Sequence, residues 1–307
     1  MDGKKTKEKS IFKNFSLGVG TNRDVWAYAS SKLSLHNKMQ TCITFYNQEV
    51  EKKKRDSNYV FLKDLTKISW IHPQRIGFER QVKSNSFEYN KIYSCFYRPY
   101  IRQYLYFDRF WNNRVYQMPS IFPMNTTDNL VICSSGVGSK EYSCLMVDHI
   151  PCLDFLEKTQ CFPRWLPGEQ AKGAEDTLDF GESSEMPSGF SPEALPHFQA
   201  AYPGKPITED DLFYYIYGIL HSEDYRTRYA NNLMKELPRI PRVATYEQFM
   251  AFVEAGQELA RLHVHFEDVA PYAGVTIEYT KTGLPSYRVK QMKWGKIKAE
   301  NLGLVGV

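Results

Sequence analysis

"YRPYIRQYLYFDRFWNNRVY", residues 97–116, threads four arginines (Arg98, Arg102, Arg109, Arg114) through eight aromatic rings. If the run is extended, Tyr104, Tyr106 and Phe110 fill one face and pack inward. Asp108, Asn112 and Asn113 supply turn chemistry between the aromatics. The stretch therefore reads as strand, turn and strand, and it sets the texture of its surroundings. Its arginines admit two readings. They are salt-bridged cations around a core, or they contact phosphate or guanine through a planar, permanently charged fork.

Outward from this run, residues 59–165 hold short apolar or alternating segments: "KIYSCFYR", "QYLYF", "RVYQMPSIF", "NLVICSS" and "YSCLMVD". Asn, Pro, Gly and Asp separate them, which is β-rich texture. No αβ alternation of a doubly wound sheet is present. Before this region, Trp26, Ala29, Leu33, Met39, Ile43, Tyr46 and Val50 recur at helical steps. They predict one helix capped by Asn22 or Asp24 and ending in the solvated run "EKKKRDSN". Residues 166–207 are acidic and rich in Gly, Pro and Ser, and read as a linker or mobile loop with few core contacts. Thr208 and Asp211 form a capping box before "LFYYIYGIL", which is apolar on all faces and so predicts a buried helix. Ser222 opens a second helix, "EDYRTRYANNLMKEL", stopped by Pro238; Thr245 and Gln248 cap a third. The end, "VTIEYTKTGLPSYRVKQMKW", reads as a hairpin around Gly283. The expected fold class is α+β. Residues 1–165 hold the N-terminal helix and β-rich part, 166–207 the acidic linker, and 208–307 the helical part of one domain with a terminal hairpin.

Composition bounds the chemistry. The 307 residues are 42% hydrophobic, 24% charged and 15% aromatic, which suits a globular chain with a sizeable core. The formal net charge is +4. Outside residues 167–211, however, 37 basic residues face 25 acidic ones, a net of +12. Such an excess is an electrostatic footprint for a polyanion, or simply a source of solubility. No apolar run spans a bilayer and no export signal is visible, so the expected location is cytoplasmic. The six cysteines are scattered without a CxxC pair and read as free thiols. Cys144, Asp148, His149 and Cys152 could hold zinc by residue type, but their spacing fits no standard finger. Consecutive prolines are absent, so there is no (N/D/S)PP(Y/F) motif of amino-methyltransferases. Neither a phosphate loop nor a dinucleotide fingerprint occurs, and "GVGSKE" at 136–141 reads as a tight turn. His263 and His265 alternate in "HVHFED" and would share one strand face, as hydrogen-bonded structural histidines before a metal pair. No catalytic site and no cofactor is expected.

Several stretches then fit one family in order: "TNRDVWAY", the residue 97–123 run, "SGVGSKEYSCLMVDHIPCLDF", "TQCFPRWL", "DLFYYIYGILHSEDYRTRYANNLMKELPRIP" and "LARLHVHFEDVAPY". Together they resemble the C-terminal target-recognition domain of type ISP restriction-modification enzymes, across residues 17 to about 294. In that family one polypeptide joins nuclease, translocase, adenine methyltransferase and specificity parts. The resemblance implies sequence-specific recognition of double-stranded DNA for those other parts, in cis or in trans, without catalysis here. The family continues with a strand-and-helix tail where this sequence runs "GKIKAENLGLVGV", which implies a fragment or a separately encoded specificity unit. The DNA-contacting candidates are Arg98, Arg102, Arg109, Arg114, Arg75, Arg80, Lys83, Lys140, Arg226 and Arg228. The shared aromatic-arginine run implies a scaffold or phosphate clamp, leaving base reading to loops such as 72–90 or 134–143. Two alternatives stay open: a docking module for a partner methyltransferase, and a degenerate methyltransferase or nuclease fragment. The pair of helices from Thr208 to Leu237 could read the major groove, but the recurrence of Tyr225, Tyr229 and Leu233 favours a bracing αα-hairpin.

Overall fold

A computed structural model describes residues 10–169 and 186–274. The hairpin expected around Gly283 lies outside the described residues. Residues up to Glu267 form one compact unit, and residues from Asp268 onward belong to a second; the description below concerns the first.

The first unit has both helices and sheets and is an α+β fold. In chain order its elements are β1 (Ser16–Leu17), α1 (Asp24–Ala27), β2 (Tyr28–Ala29), α2 (Lys32–Arg55), α3 (His72–Glu79), β3 (Ile92–Arg98), β4 (Ile101–Tyr106), α4 (Met118–Ile121), β5 (Val131–Ser134), β6 (Cys144–Val147), β7 (Ile150–Pro151) and β8 (Gln160–Pro163). The helices α5 (Ala194–Gln199), α6 (Glu209–His221), α7 (Glu223–Arg228), α8 (Ala230–Leu233) and α9 (Tyr246–Val264) follow.

Two four-stranded sheets result, ordered β1-β8-β5-β6 and β2-β4-β3-β7. Every pairing is antiparallel except β3 with β7. Side-chain alternation assigns each strand two faces. Cys95, Leu105, Val131, Cys133, Val147 and Cys161 meet in one core between the sheets. Ile132, Cys144 and Met146 point the other way, into a core shared with α5, α6 and α9. Ile92 and Tyr106 join α2, α3 and Trp111 in a third core. The layers are therefore helices, sheet, sheet, helices. Strands covered on both faces read as apolar runs, which is why the sequence announced them.

The N-terminal helix is shorter than its periodicity implied. Tyr28 and Ala29 leave the helical path and pair with Leu105 and Tyr104 of β4. A new helix then starts at Lys32, capped by Ser31 rather than Asn22 or Asp24. Leu33 consequently lies 66% exposed. Deep in α2, the fully buried Glu49 carboxylate accepts Leu62 N (2.7 Å) and Tyr59 OH (2.8 Å) and pairs with Lys52 (2.6 Å). Burial pushes this carboxyl up, but the three donors outweigh it and hold its pKa below the usual range. It pins the segment after α2 against the third core.

Residues 187–207, within the segment read as a linker, are instead built into the fold. Ser188 bridges Trp165, Phe190 bridges Phe12, and Phe190, Phe198, Tyr202 and Ile207 are buried in the second core. Residues 170–185 of that segment lie outside the described residues. His263 lies in the last turn of α9 and His265 caps its C-terminus, so the "HVHFED" stretch is a helix end and not a strand. Burial, and then the charge of His221, lower the His263 pKa to about 4. Its Nδ1 lies 2.5 Å from Tyr217 OH. All six cysteines are free and buried. Cys144 and Cys152 occupy different cores, so the four residues weighed for zinc do not converge. Among the described residues, no helix is long and apolar enough to cross a membrane.

Candidate nucleic-acid interface

The aromatic-arginine run divides into buried rings and cations of two kinds. Tyr106 and Trp111 are buried, while Tyr104 and Phe110 pack against the same third core, as the inward-facing reading required. A two-residue turn, Pro99 and Tyr100, joins β3 to β4, with Tyr100 at φ 58. The loop after β4 is fixed from beneath. Asp108 Oδ1 accepts Phe110 N (2.7 Å) and Trp111 N (3.2 Å), and Oδ2 pairs with Lys91 (2.7 Å). Arg23, from "TNRDVWAY", reaches the same loop. Its guanidinium donates to Trp111 O (2.9 Å) and Ser69 O (3.1 Å) and stacks over the Trp111 ring. Burial lowers the Arg23 pKa to about 10. No local pattern marks this clamp, because a buried arginine has no periodic signature.

Three of the ten candidate cations are committed within the fold. Arg102 donates to Val264 O (2.8 Å) at the C-terminus of α9, pairs with Asp148 (3.5 Å) and stacks over Phe96. A cation there also suits the negative helix end. Arg98 donates to Tyr97 O (2.7 Å), meets Cys152 Sγ (3.3 Å) and covers the Tyr97 ring. Arg226 donates to Tyr142 O (2.9 Å) and lies over its ring.

The other seven are exposed and fall into local groups. Arg75, Arg80 and Lys83 sit on α3 and the segment after it; Arg75 donates to Trp70 O (3.2 Å) and Lys83 pairs with Glu51 (2.9 Å). Arg109 projects from the loop that Asp108 and Arg23 fix, a loop lining one cleft with residues 82–86. Lys140 and Arg228 belong to neighbouring elements, since Gly138 N donates to Met234 O (2.9 Å). Arg114 lies beside Gly20, to which its backbone is bonded. The side chains of Arg80, Arg109, Arg114 and Lys140 hold no hydrogen bond or ion pair among the described residues.

The 136–141 turn is as tight as its composition implied. Gly138 has φ 78, and a Cβ on Gly136 would stand 2.4 Å from Lys158 O. Ser139 Oγ donates back to Gly136 O (2.6 Å), so the turn closes on itself.

The expected second helix of the C-terminal pair is broken. Tyr229, at φ −109 and ψ 19, separates the six-residue α7 from the four-residue α8. Tyr225 and Leu233 are buried and Tyr225 OH donates to Arg239 O (2.9 Å), the packing expected of a brace. Among the described residues, no group of three or more His, Cys, Asp or Glu side chains could hold a metal.

Residues 10–305 match the family model described as Type ISP C-terminal specificity domain. Among solved structures, the chain is similar to the DrdV–DNA complex seen by cryo-electron microscopy, with 34% identity and a TM-score of 0.72. A nuclease-deletion mutant of the Type ISP restriction-modification enzyme LlaGI, in complex with a DNA substrate mimic, matches with 29% identity and a TM-score of 0.75. The ATP-dependent Type ISP enzyme LlaBIII bound to DNA matches with 29% identity and a TM-score of 0.71. The matches cover 88%, 96% and 87% of this chain but only 26%, 26% and 17% of those chains, so it spans about a quarter of their length or less. Comparison with curated protein sequences gave no match.

Proposed function

Because the chain belongs to the family of Type ISP C-terminal specificity domains, we propose that it recognises a specific sequence in double-stranded DNA. It does so for the methyltransferase and translocase parts of a restriction-modification enzyme, and it catalyses nothing itself. The observation that carries this reading is that all three similar structures named above are complexes with DNA or a DNA mimic. The distribution of cations supports it. Exposed guanidinium and ammonium groups are the groups that replace condensed counterions on a phosphate backbone. Arg75, Arg80, Lys83, Arg109, Arg114, Lys140 and Arg228 take that role. Arg98, Arg102 and Arg226 hold the scaffold on which those cations are displayed, since their donors already have acceptors in the fold.

Salt dependence tests the division. Log affinity for duplex DNA should fall linearly with log salt, with a slope of about −0.9 per contacted phosphate. Replacing Arg80 and Arg109 together by alanine should make that slope less negative by about 1.8. A flat salt response in the unsubstituted chain would rule out these cations as the footprint.

A further inference from the structure

The segment that follows α3, residues 81–86, has no regular secondary structure, yet side chains of α2 and Trp111 hold it at Val82 and Ser84. Tyr46, fully buried on α2, donates its hydroxyl to Val82 O (2.7 Å). Asn47, on the next position of α2, grips Ser84 twice: its Oδ1 accepts Ser84 N (2.9 Å) and its Nδ2 donates to Ser84 O (3.1 Å). Trp111 Nε1 donates to Ser84 Oγ (3.0 Å), which ties this segment to the loop carrying Arg109. Val82 N returns to Gly77 O (2.8 Å), and Gln81 makes the turn at φ 57. Four side-chain bonds from α2 and Trp111 thus fix a surface loop that contributes little to the third core itself.

The loop displays polar groups that the fold does not use. Asn85 and Ser86 are exposed, and their side chains hold no partner among the described residues. With Ser84, Lys91, Asp108 and Trp111 they line a cleft of about 170 Å³. The acids around it all have cationic partners: Asp108 and Glu88 share Lys91 (2.7 Å each), and Glu51 pairs with Lys83 (2.9 Å). Because Lys91 serves two carboxylates, the unpaired Arg109 is what brings the cluster to neutrality, and a polyanion approaching the cleft then meets no net negative charge.

We propose that residues 83–86 are a base-reading loop, in which Asn85 contacts an adenine edge in the major groove while Lys83 and Arg109 contact flanking phosphates. This inference rests on the duplex-DNA reading above. The chemistry is that of a carboxamide, which both accepts from adenine N6 and donates to N7. Such discrimination requires a backbone that cannot drift, and the clamp by Asn47, Tyr46 and Trp111 supplies it.

The test is selection from random duplex DNA by the full chain and by Asn85→Ala, alongside thermal melting of both. The variant should melt as the parent does, because the exposed Asn85 side chain holds no hydrogen bond or ion pair among the described residues. It should select the same sequence except at one position, or two adjacent ones, where the preference for adenine falls by about ten- to a hundred-fold. An unchanged selected sequence overturns the proposal, and so does a uniform loss of affinity without a change in sequence. If the parent chain binds duplex DNA but the altered position is not adenine, the assignment of Asn85 fails while the DNA-recognition reading stands. If the parent selects no sequence at all, both fall.

Discussion

Gly218 of α6 and Gly256 of α9 lie at the closest approach of the two helices, and replacing Gly256 by alanine tests how tightly that crossing is built. In a helix interior this substitution ordinarily stabilises by about 1 kcal/mol, because glycine carries the larger entropic cost. The structure reverses the sign. A Cβ on Gly256 would stand 2.0 Å from Tyr214 O and 2.8 Å from Tyr214 C, both backbone atoms of the facing helix. Non-bonded contact between heavy atoms is comfortable near ~3.5 Å, so α6 must retreat by about 1.5 Å or the backbones must distort. Retreat would loosen Leu212, Tyr215, Ile216 and Phe249, all buried at this interface. Overpacking of this kind costs about 1–3 kcal/mol. Taking the upper end for a backbone obstacle and subtracting the propensity gain leaves a net loss of about 2 kcal/mol. At roughly 2–4 °C per kcal/mol for a domain of this size class, the melting temperature should fall by about 4–8 °C. Thermal melting followed by circular dichroism reads this directly. An unchanged or raised melting temperature would refute the close crossing, and with it the rigid placement of α6 against α9.

Arg102→Ala should lower the melting temperature through loss of the charged hydrogen bond to Val264 O, worth about 1.5–3 kcal/mol, while leaving the selected DNA sequence unchanged. A shift in base preference would make Arg102 a reader instead of a brace. The His263 pKa is depressed by burial below its unfolded value of about 6.5. Folding therefore favours the neutral ring: its contribution is intact above pH ~6.5 and is lost as pH falls toward about 4. Melting temperature should decline between pH ~6.5 and 5, ahead of carboxylate titration, and His263→Gln should flatten that decline. A variant with the same slope as the parent would show that the proton is taken up elsewhere.

Much of the fold was legible because its strands are buried on both faces. "IYSCFYR", "VICS" and "CLMV" read as β3, β5 and β6 from apolar content alone. The all-apolar helix at 209–221 and its capping box were equally plain. What escaped depended on partners distant in sequence. Tyr28 and Ala29 carry helical spacing, yet β4 recruits them into a sheet. "RVYQMPSIF" looks like a strand, yet Met118–Ile121 turns helical. Phe190, Phe198 and Tyr202 are too sparse to mark a core segment, and only packing against α6 and α9 makes them one. The site shows the same limit. Arg102 and Arg109 share one aromatic-rich context, but Arg102 meets Val264 from a helix 162 residues away, whereas Arg109 meets solvent. Burial, which separates brace from contact, is set by tertiary neighbours that local sequence does not record.

The central claim is that this chain reads duplex DNA by sequence, and repeated selection of the full chain on random duplexes measures that most directly. The account predicts enrichment of one short asymmetric sequence, bound more tightly than a scrambled duplex of equal length at the same salt concentration. Equal affinity for selected and scrambled duplexes, across the salt range where binding is measurable, would contradict it.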